Sequence, residues 1–119
     1  MIKPDTDMRA GFTPAEREYI RRELDMFFST LPSVAEGFHL RIWRGGPLAG
    51  QPKVPAVAQD MVARGLMRLD AVLRPPRVLF TEAGLVALRT MMADARLANP
   101  AKFAHVRQEL GMDGGQAEH

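Results

Sequence analysis

A chain of 119 residues is long enough for one domain with a modest core. It holds no cysteine, no apolar run near the roughly 20 residues that cross a bilayer, and no signal-peptide pattern in residues 1–7, so we expect a cytoplasmic protein without disulfides or membrane contact. The net charge is only +2, but residues 37–89 carry eight basic against three acidic side chains, which indicates either a nucleic-acid footprint or an ordinary arginine-rich surface.

The first predicted helix covers residues 14–31. Thr13 can cap its N-terminus, a proline occupies the first helical position, and Glu16 completes a capping box. Apolar residues follow at spacings of three and four. Pro32 disfavours helical geometry at the residue before it and should end the helix. Residues 1–12, which show no periodicity, are predicted to be a flexible arm.

Residues 37–44 allow two interpretations. Ser33 and Glu36 have the spacing of a second capping box, and the Gly45-Gly46 pair would stop a helix. The apolar residues at positions 38, 40 and 42 also alternate with polar ones, as in a strand. We favour the helix because both a start and a stop signal are present. A strand here would leave a three-helix core without its second helix.

A glycine-rich loop over residues 45–52 precedes a third predicted helix, which begins at Val54 and ends at Gly65, a residue that can adopt the left-handed turn of a helix stop. Apolar and charged residues then alternate over residues 67–70 and again over residues 77–80. This pattern predicts a β hairpin. Its tip, residues 71–76, is unusually apolar and is stiffened by two prolines.

Thr81 is predicted to cap a fourth helix with an apolar face through Leu85 and Leu88. The Asn99-Pro100 pair ends it and begins a short fifth helix, which Gly111 stops. Residues 112–119 should form a disordered tail. The fold expected for residues 13–111 is therefore a single domain, mainly α with a small β hairpin (α+β).

The helices at the two ends of the chain are predicted to be the faces of a homodimer. A core this small leaves more large apolar side chains than it can easily bury, and such a surplus usually marks an interface. The residues that make up this surplus are Phe27, Phe28, Met91, Met92 and Phe103.

Two short motifs carry a family resemblance. RGLM at residues 64–67 and FTEAGLVAL at residues 80–88 resemble the MarR- and PadR-type bacterial regulators, over about residues 54–92. In those families RGL or KGL ends the recognition helix, and LTEAG enters the helix after the wing. The resemblance implies a winged helix-turn-helix with an added C-terminal helix and a role in transcription regulation. The string at residues 43–53 also resembles a group of small bacterial proteins, which implies no function.

In a winged helix, residues 54–64 would enter the major groove of double-stranded DNA. The resemblance places Lys53, Ala56, Gln59 and Asp60 at the groove. Of these, Gln59 would carry most of the base readout, because alanine offers no hydrogen bond and a carboxylate opposes phosphate. Arg74 and Arg77 on the wing would reach phosphate or the minor groove. The complete set of predicted DNA-contacting residues is Arg44, Lys53, Gln59, Arg64, Arg74 and Arg77.

We expect no catalytic residues, metal or cofactor. The three histidines, His39, His105 and His119, are isolated, and neither Ser29 nor Ser33 lies in a nucleophile pattern. The glycine-rich loop resembles a phosphate loop, but Gln51 stands where that motif needs lysine. The lone Trp43 is expected in the core.

The sequence therefore predicts a binding protein rather than an enzyme. The alternative to a DNA-binding regulator is an adaptor that uses the same fold to hold another protein. In that case Leu73, Pro75 and Pro76 at the apolar tip would matter more than the neighbouring arginines.

Overall fold

The computed structural model describes residues 11–25 and 30–112, which combine helices with small antiparallel sheets in an α+β arrangement. The elements in chain order are α1 (Pro14–Leu24), β1 (Phe38–His39), β2 (Arg41–Ile42), β3 (Pro52–Lys53), α2 (Ala56–Ala63), β4 (Met67–Asp70), β5 (Arg77–Phe80), α3 (Glu82–Met92) and α4 (Ala104–Glu109).

Helix α1 begins as predicted and ends seven residues early. The Thr13 hydroxyl accepts a hydrogen bond from the Glu16 amide at 3.1 Å, and the Glu16 carboxylate accepts from the Thr13 amide at 2.9 Å, which completes the capping box. The prediction that the helix runs to residue 31 is wrong, because Asp25 is already extended, with ψ 149°. The His105 ring, from α4, instead hydrogen-bonds the carbonyl of the fully buried Leu24 at 2.8 Å.

Strands, not a helix, occupy the segment at residues 37–44, so the favoured interpretation was wrong. The Ser33–Glu36 capping box does not form, since the Glu36 amide donates to the Ser33 carbonyl at 3.3 Å in a turn. The Glu109 carboxylate accepts hydrogen bonds from the Ser33 hydroxyl (2.8 Å) and from the next two amides (2.6 and 2.8 Å). Gly37 then has φ +71°, and a Cβ there would lie 2.3 Å from the carbonyl oxygen of Val78. The segment needs glycine at this position for β1 to lie against β5.

The main sheet has the strand order β1-β5-β4, and every pairing is antiparallel. Its β4–β5 hairpin confirms the predicted ribbon, with Met67 opposite Phe80 and Asp70 opposite Arg77. Gly65 makes the turn into it with φ +80°. The Thr81 hydroxyl donates to the Gly65 carbonyl at 2.6 Å and accepts from the first turn of α3, so it joins both ends of the hairpin to the next helix.

A second hairpin, β2–β3, stands where the predicted second helix would have been. Arg41 lies opposite Lys53 and Ile42 opposite Pro52. The loop between the strands contains the glycine-rich segment, and each residue from 41 to 51 is exposed. This hairpin therefore extends from the body of the protein into solvent.

The core is built where α1, the main sheet and the two C-terminal helices meet. Tyr19, Phe38 and Phe80 pack edge to face, with ring centroids 5.5 and 5.4 Å apart in succession. Around them lie further buried apolar side chains from each of these elements, including Ile20, Leu24, Leu66, Met67, Val78, Leu88 and Val106.

Most of the large apolar side chains that predicted a dimer face are buried within one chain. Met91, Met92 and Phe103 are each 2% exposed or less, so the premise that this core could not bury them was wrong. Phe27 and Phe28 lie outside the described residues.

The two predicted flexible ends fall mostly outside the described residues as well. Of the predicted arm, Gly11 and Phe12 are described, and Phe12 is buried against the ring of Phe80, with the centroids 6.3 Å apart. Of the predicted tail, Met112 is described and packs against the core.

Candidate nucleic-acid interface

A cleft of about 720 Å³ lies between the β2–β3 hairpin and the wing, the name used here for the β4–β5 hairpin with its tip at residues 71–76. Two lining residues, Leu40 and Pro76, are buried, and the Leu40 amide donates to the Pro76 carbonyl at 2.8 Å. That hydrogen bond joins the two ribbons at their bases and fixes their separation.

Four cationic side chains line this basic cleft: Arg41, Arg44 and Lys53 from the β2–β3 hairpin and Arg74 from the wing. All four are exposed. Among the described residues that line the cleft none is acidic, and no described carboxylate forms an ion pair with any of the four. Unneutralised like charges around one concave surface focus a positive potential there, which attracts polyanions.

The wing tip is shaped by its own side chains. The Asp70 carboxylate accepts hydrogen bonds from the amides of Val72 (3.1 Å) and Leu73 (3.3 Å), an arrangement typical of an Asx turn. From the other side, Nη1 of Arg74 donates to the carbonyls of Ala71 (2.9 Å) and Leu73 (3.2 Å). The turn therefore holds Val72 out in solvent, 85% exposed, beside the cleft.

Trp43 was expected in the core, but it lies on the β2–β3 hairpin. It is 40% exposed, and the Lys53 ammonium lies 4.6 Å from the centroid of its ring, within cation–π distance. One of the cleft's four cations is thus held against the aromatic surface.

Three of the six predicted DNA-contacting residues, Arg44, Lys53 and Arg74, come together in this cleft. Arg77 does not join them. It is half-buried on β5, where its Nη1 donates to the Glu36 carbonyl at 3.3 Å, so it supports the turn before β1.

Arg64 is engaged by the protein itself. At the end of α2 its guanidinium pairs with the Glu16 carboxylate at 2.5 Å and donates to the Gly11 carbonyl, also at 2.5 Å. Glu16 is only 1% exposed. We therefore assign Arg64 to the joint between α1 and α2 and leave it out of the candidate interface.

Helix α2 keeps the exposed face that was predicted for it, but this face is poorly equipped to read DNA. Ala56, Gln59 and Asp60 are all exposed on it. The Gln59 side-chain amide nitrogen donates to the carbonyl of Val54 at 2.8 Å, which uses one of its two N–H groups and orients the amide along the helix start and not toward a base. None of the described residues of α2 is basic, so the positive surface lies on the ribbons and not on this helix.

Arg41 is the cleft residue that the sequence analysis missed. The strand alternation over residues 38–42 was the signal that could have found it, because a strand places Arg41 beside its cross-strand partner Lys53. A helix over this segment, as predicted, contains no such pairing.

A smaller groove of about 240 Å³, whose lining includes Tyr19, Glu23 and His39, lies against the same hairpin. Burial, assisted by the nearby Glu23 carboxylate, raises the pKa of Tyr19 to about 12. The phenol therefore stays protonated near neutral pH and would be a poor nucleophile.

Within residues 11–25 and 30–112, no three histidine, aspartate or glutamate side chains converge where a metal ion could be held. Over the same ranges, no helix has both the length and the apolarity that crossing a membrane requires. No protein family, curated protein or solved structure matches this chain.

Proposed function

We propose that this protein binds double-stranded DNA through the basic cleft and acts in the cytoplasm as a small regulator of transcription. The observation that carries the proposal is the convergence of Arg41, Arg44, Lys53 and Arg74 on one concave surface whose described lining includes no carboxylate. Guanidinium and ammonium groups in such an arrangement match the regularly spaced phosphates of a nucleic-acid backbone.

The arrangement of elements supports a variant of the winged helix. Helix α2 leads directly into the β4–β5 hairpin, β1 adds to the free side of β5, and α3 follows the wing. In the variant that we propose, the β2–β3 hairpin replaces the second helix of the usual trihelical unit. The two ribbons then contact the phosphate backbone of the DNA, and α2 makes fewer contacts to the bases than a recognition helix normally does.

The proposal is tested by the salt dependence of binding. Four phosphate contacts predict a log–log slope of about −3.6, so affinity for a DNA duplex should fall roughly 150-fold between about 50 and 200 mM salt. Fluorescence anisotropy of a labelled duplex measures this directly. If no complex forms even at the lowest salt, the proposed function is wrong.

A matched pair of double variants locates the contact surface. Arg41→Gln with Arg44→Gln removes two charges from the cleft and should make the slope shallower by about 1.8. Arg22→Gln with Arg89→Gln removes two charges from exposed positions on α1 and α3, outside the cleft and both ribbons, and should leave the slope unchanged. Equal effects of the two pairs would show that binding is not localised to the cleft.

A second candidate function, a protein adaptor, is favoured by the wing tip. Val72 is 85% exposed and Leu73 is 36% exposed, which is unusual for two adjacent apolar residues on a surface. An adaptor should lose its partner with Val72→Glu and keep it with the double variant of Arg41 and Arg44. The regulator should show the opposite sensitivity in DNA binding. A homodimer remains a prediction from the sequence, to be measured by analytical ultracentrifugation.

A further inference from the structure

Trp43 is held in a fixed position at the neck of the β2–β3 hairpin. Its amide donates to the Gln51 carbonyl at 2.9 Å, and its carbonyl accepts from the Gly50 amide at 2.8 Å. Gly50 has φ +86°, a conformation that favours glycine, so the loop closes tightly behind the tryptophan. Because this backbone is already ordered, a ligand bound by the side chain would not have to pay for ordering the strand end that carries it.

The indole is an exposed aromatic surface beside a cation. Trp43, the only tryptophan of the chain, is 40% exposed, and the Lys53 ammonium lies 4.6 Å from the centroid of its ring. Lys53 also lines the basic cleft together with Arg44, the residue next to Trp43. Trp43 does not itself line the cleft, but its neighbours Arg44 and Lys53 do. A flat aromatic group stacked on the part of the indole that Lys53 leaves open would therefore carry its phosphate next to these cations.

We propose that Trp43 stacks on an unpaired nucleobase whose backbone phosphates lie in the basic cleft. Inside a duplex both faces of each base are already covered by neighbouring base pairs, so the tryptophan can reach a base only where pairing ends. The preferred ligand is therefore a duplex that carries a single-stranded extension, rather than a fully paired one. This inference rests on the proposed function, since it assumes that nucleic acid occupies the cleft.

The test compares a blunt two-stranded DNA duplex with the same duplex carrying a short unpaired extension. One stacked base predicts that the extended duplex binds about 5- to 150-fold more tightly. Because Trp43 is the only tryptophan, fluorescence excited selectively at the indole, away from the absorption of Tyr19, reports on this residue alone, and saturation with the extended duplex should quench it. Anisotropy of the labelled DNA gives both affinities.

Two variants separate stacking from general contact. Trp43→Leu keeps an apolar side chain but removes the aromatic ring, and it should reduce the ratio of the two affinities to about one. Leu48→Ala alters another exposed apolar residue of the same loop, 46% exposed, and should keep both the ratio and the quenching. Circular dichroism checks that each variant is folded.

The possible failures can be told apart. Equal affinity for the two duplexes, or unchanged fluorescence at saturation, would overturn the stacking inference and leave the proposed function standing. No binding of either duplex at low salt, measured by anisotropy, would overturn both. A blue shift of the emission with vesicles of anionic phospholipid, together with no binding of either duplex, would assign the β2–β3 hairpin to a lipid surface and would also overturn both.

Discussion

Replacing Arg64 with methionine tests the joint between α1 and α2. The guanidinium lies 2.5 Å from the carboxylate of Glu16, a residue that is 1% exposed. Arg64→Met keeps an unbranched apolar stem and removes the charge, so the carboxylate is left buried without its cation. Breaking a buried ion pair from one side costs about 3–5 kcal/mol of stability.

The structure places the expected loss at the lower end of that range. The Arg64 side chain is 24% exposed, so water can partly replace it, and the Thr13 amide continues to hydrogen-bond the Glu16 carboxylate. We therefore expect a loss of about 3 kcal/mol, a large part of the 5–15 kcal/mol that is typical of a domain. Urea denaturation followed by circular dichroism measures it, with the m-value as the check on two-state unfolding.

Arg68→Met is the matched control. The Arg68 guanidinium lies 3.9 Å from the Asp70 carboxylate, and the Arg68 side chain is 62% exposed. We therefore expect the free energy of unfolding to change by less than about 1 kcal/mol. Adding Glu16→Gln to Arg64→Met should recover much of the loss, because the amide can still accept from Thr13 and no charge is left unpaired. The reasoning is refuted if the Arg64 variant is as stable as the Arg68 variant, or if the double variant recovers nothing.

Further predictions concern the packing of α3 and the loss of stability at low pH. Gly84→Ala should destabilise the protein by about 1–3 kcal/mol despite the better helix propensity of alanine, since a Cβ there would lie 1.9 Å from a backbone carbonyl oxygen. Gly45→Ala is the control, because Gly45 lies in open space, and it should change the stability by less than about 0.5 kcal/mol in the same denaturation assay. Leu88→Ala, at a fully buried position, should cost about 2–5 kcal/mol, whereas Val86→Ala, at a position 61% exposed on the same helix, should cost much less; similar losses would contradict the packing described. Burial raises the pKa of Glu109, but three hydrogen bonds from the turn before β1 outweigh it and hold the pKa below its usual range. The stability from Glu109 should therefore be complete above about pH 4.3 and be lost as the pH falls through its lower folded-state pKa, and thermal melts should show a weaker acid dependence in Glu109→Gln.

Local signals in the sequence were sufficient wherever a structure is closed by residues near one another in the chain. The capping box at Thr13, the cap at Thr81 and the glycine turn at Gly65 all form as predicted. The β4–β5 hairpin also forms in the expected segments. Each of these depends on hydrogen bonds that span a few residues or on a single backbone conformation, so the amino-acid order alone specifies them.

The candidate site could be predicted only in part. Arg44, Lys53 and Arg74 were expected at an interface and do lie together. Arg41 was missed because its place in the cleft depends on the pairing of its strand with the strand of Lys53. Arg64 was wrongly included because its guanidinium is bound by Glu16, which lies 48 residues away in the chain. Spacing along the sequence does not reveal which surface arginines will find a buried partner.

Tertiary structure alone decided the segment between α1 and α2. Ser33 and Glu36 have the spacing of a capping box, but the Glu36 amide donates to the Ser33 carbonyl in a turn, and Glu109 accepts from the Ser33 hydroxyl and the next two amides. Strand β5 supplies a partner strand some 40 residues further along the chain. Gly37 allows that strand to approach. The local pattern over residues 37–44 allowed both a helix and a strand, and the hydrogen bonds that decide for the strand come from groups far away in the sequence.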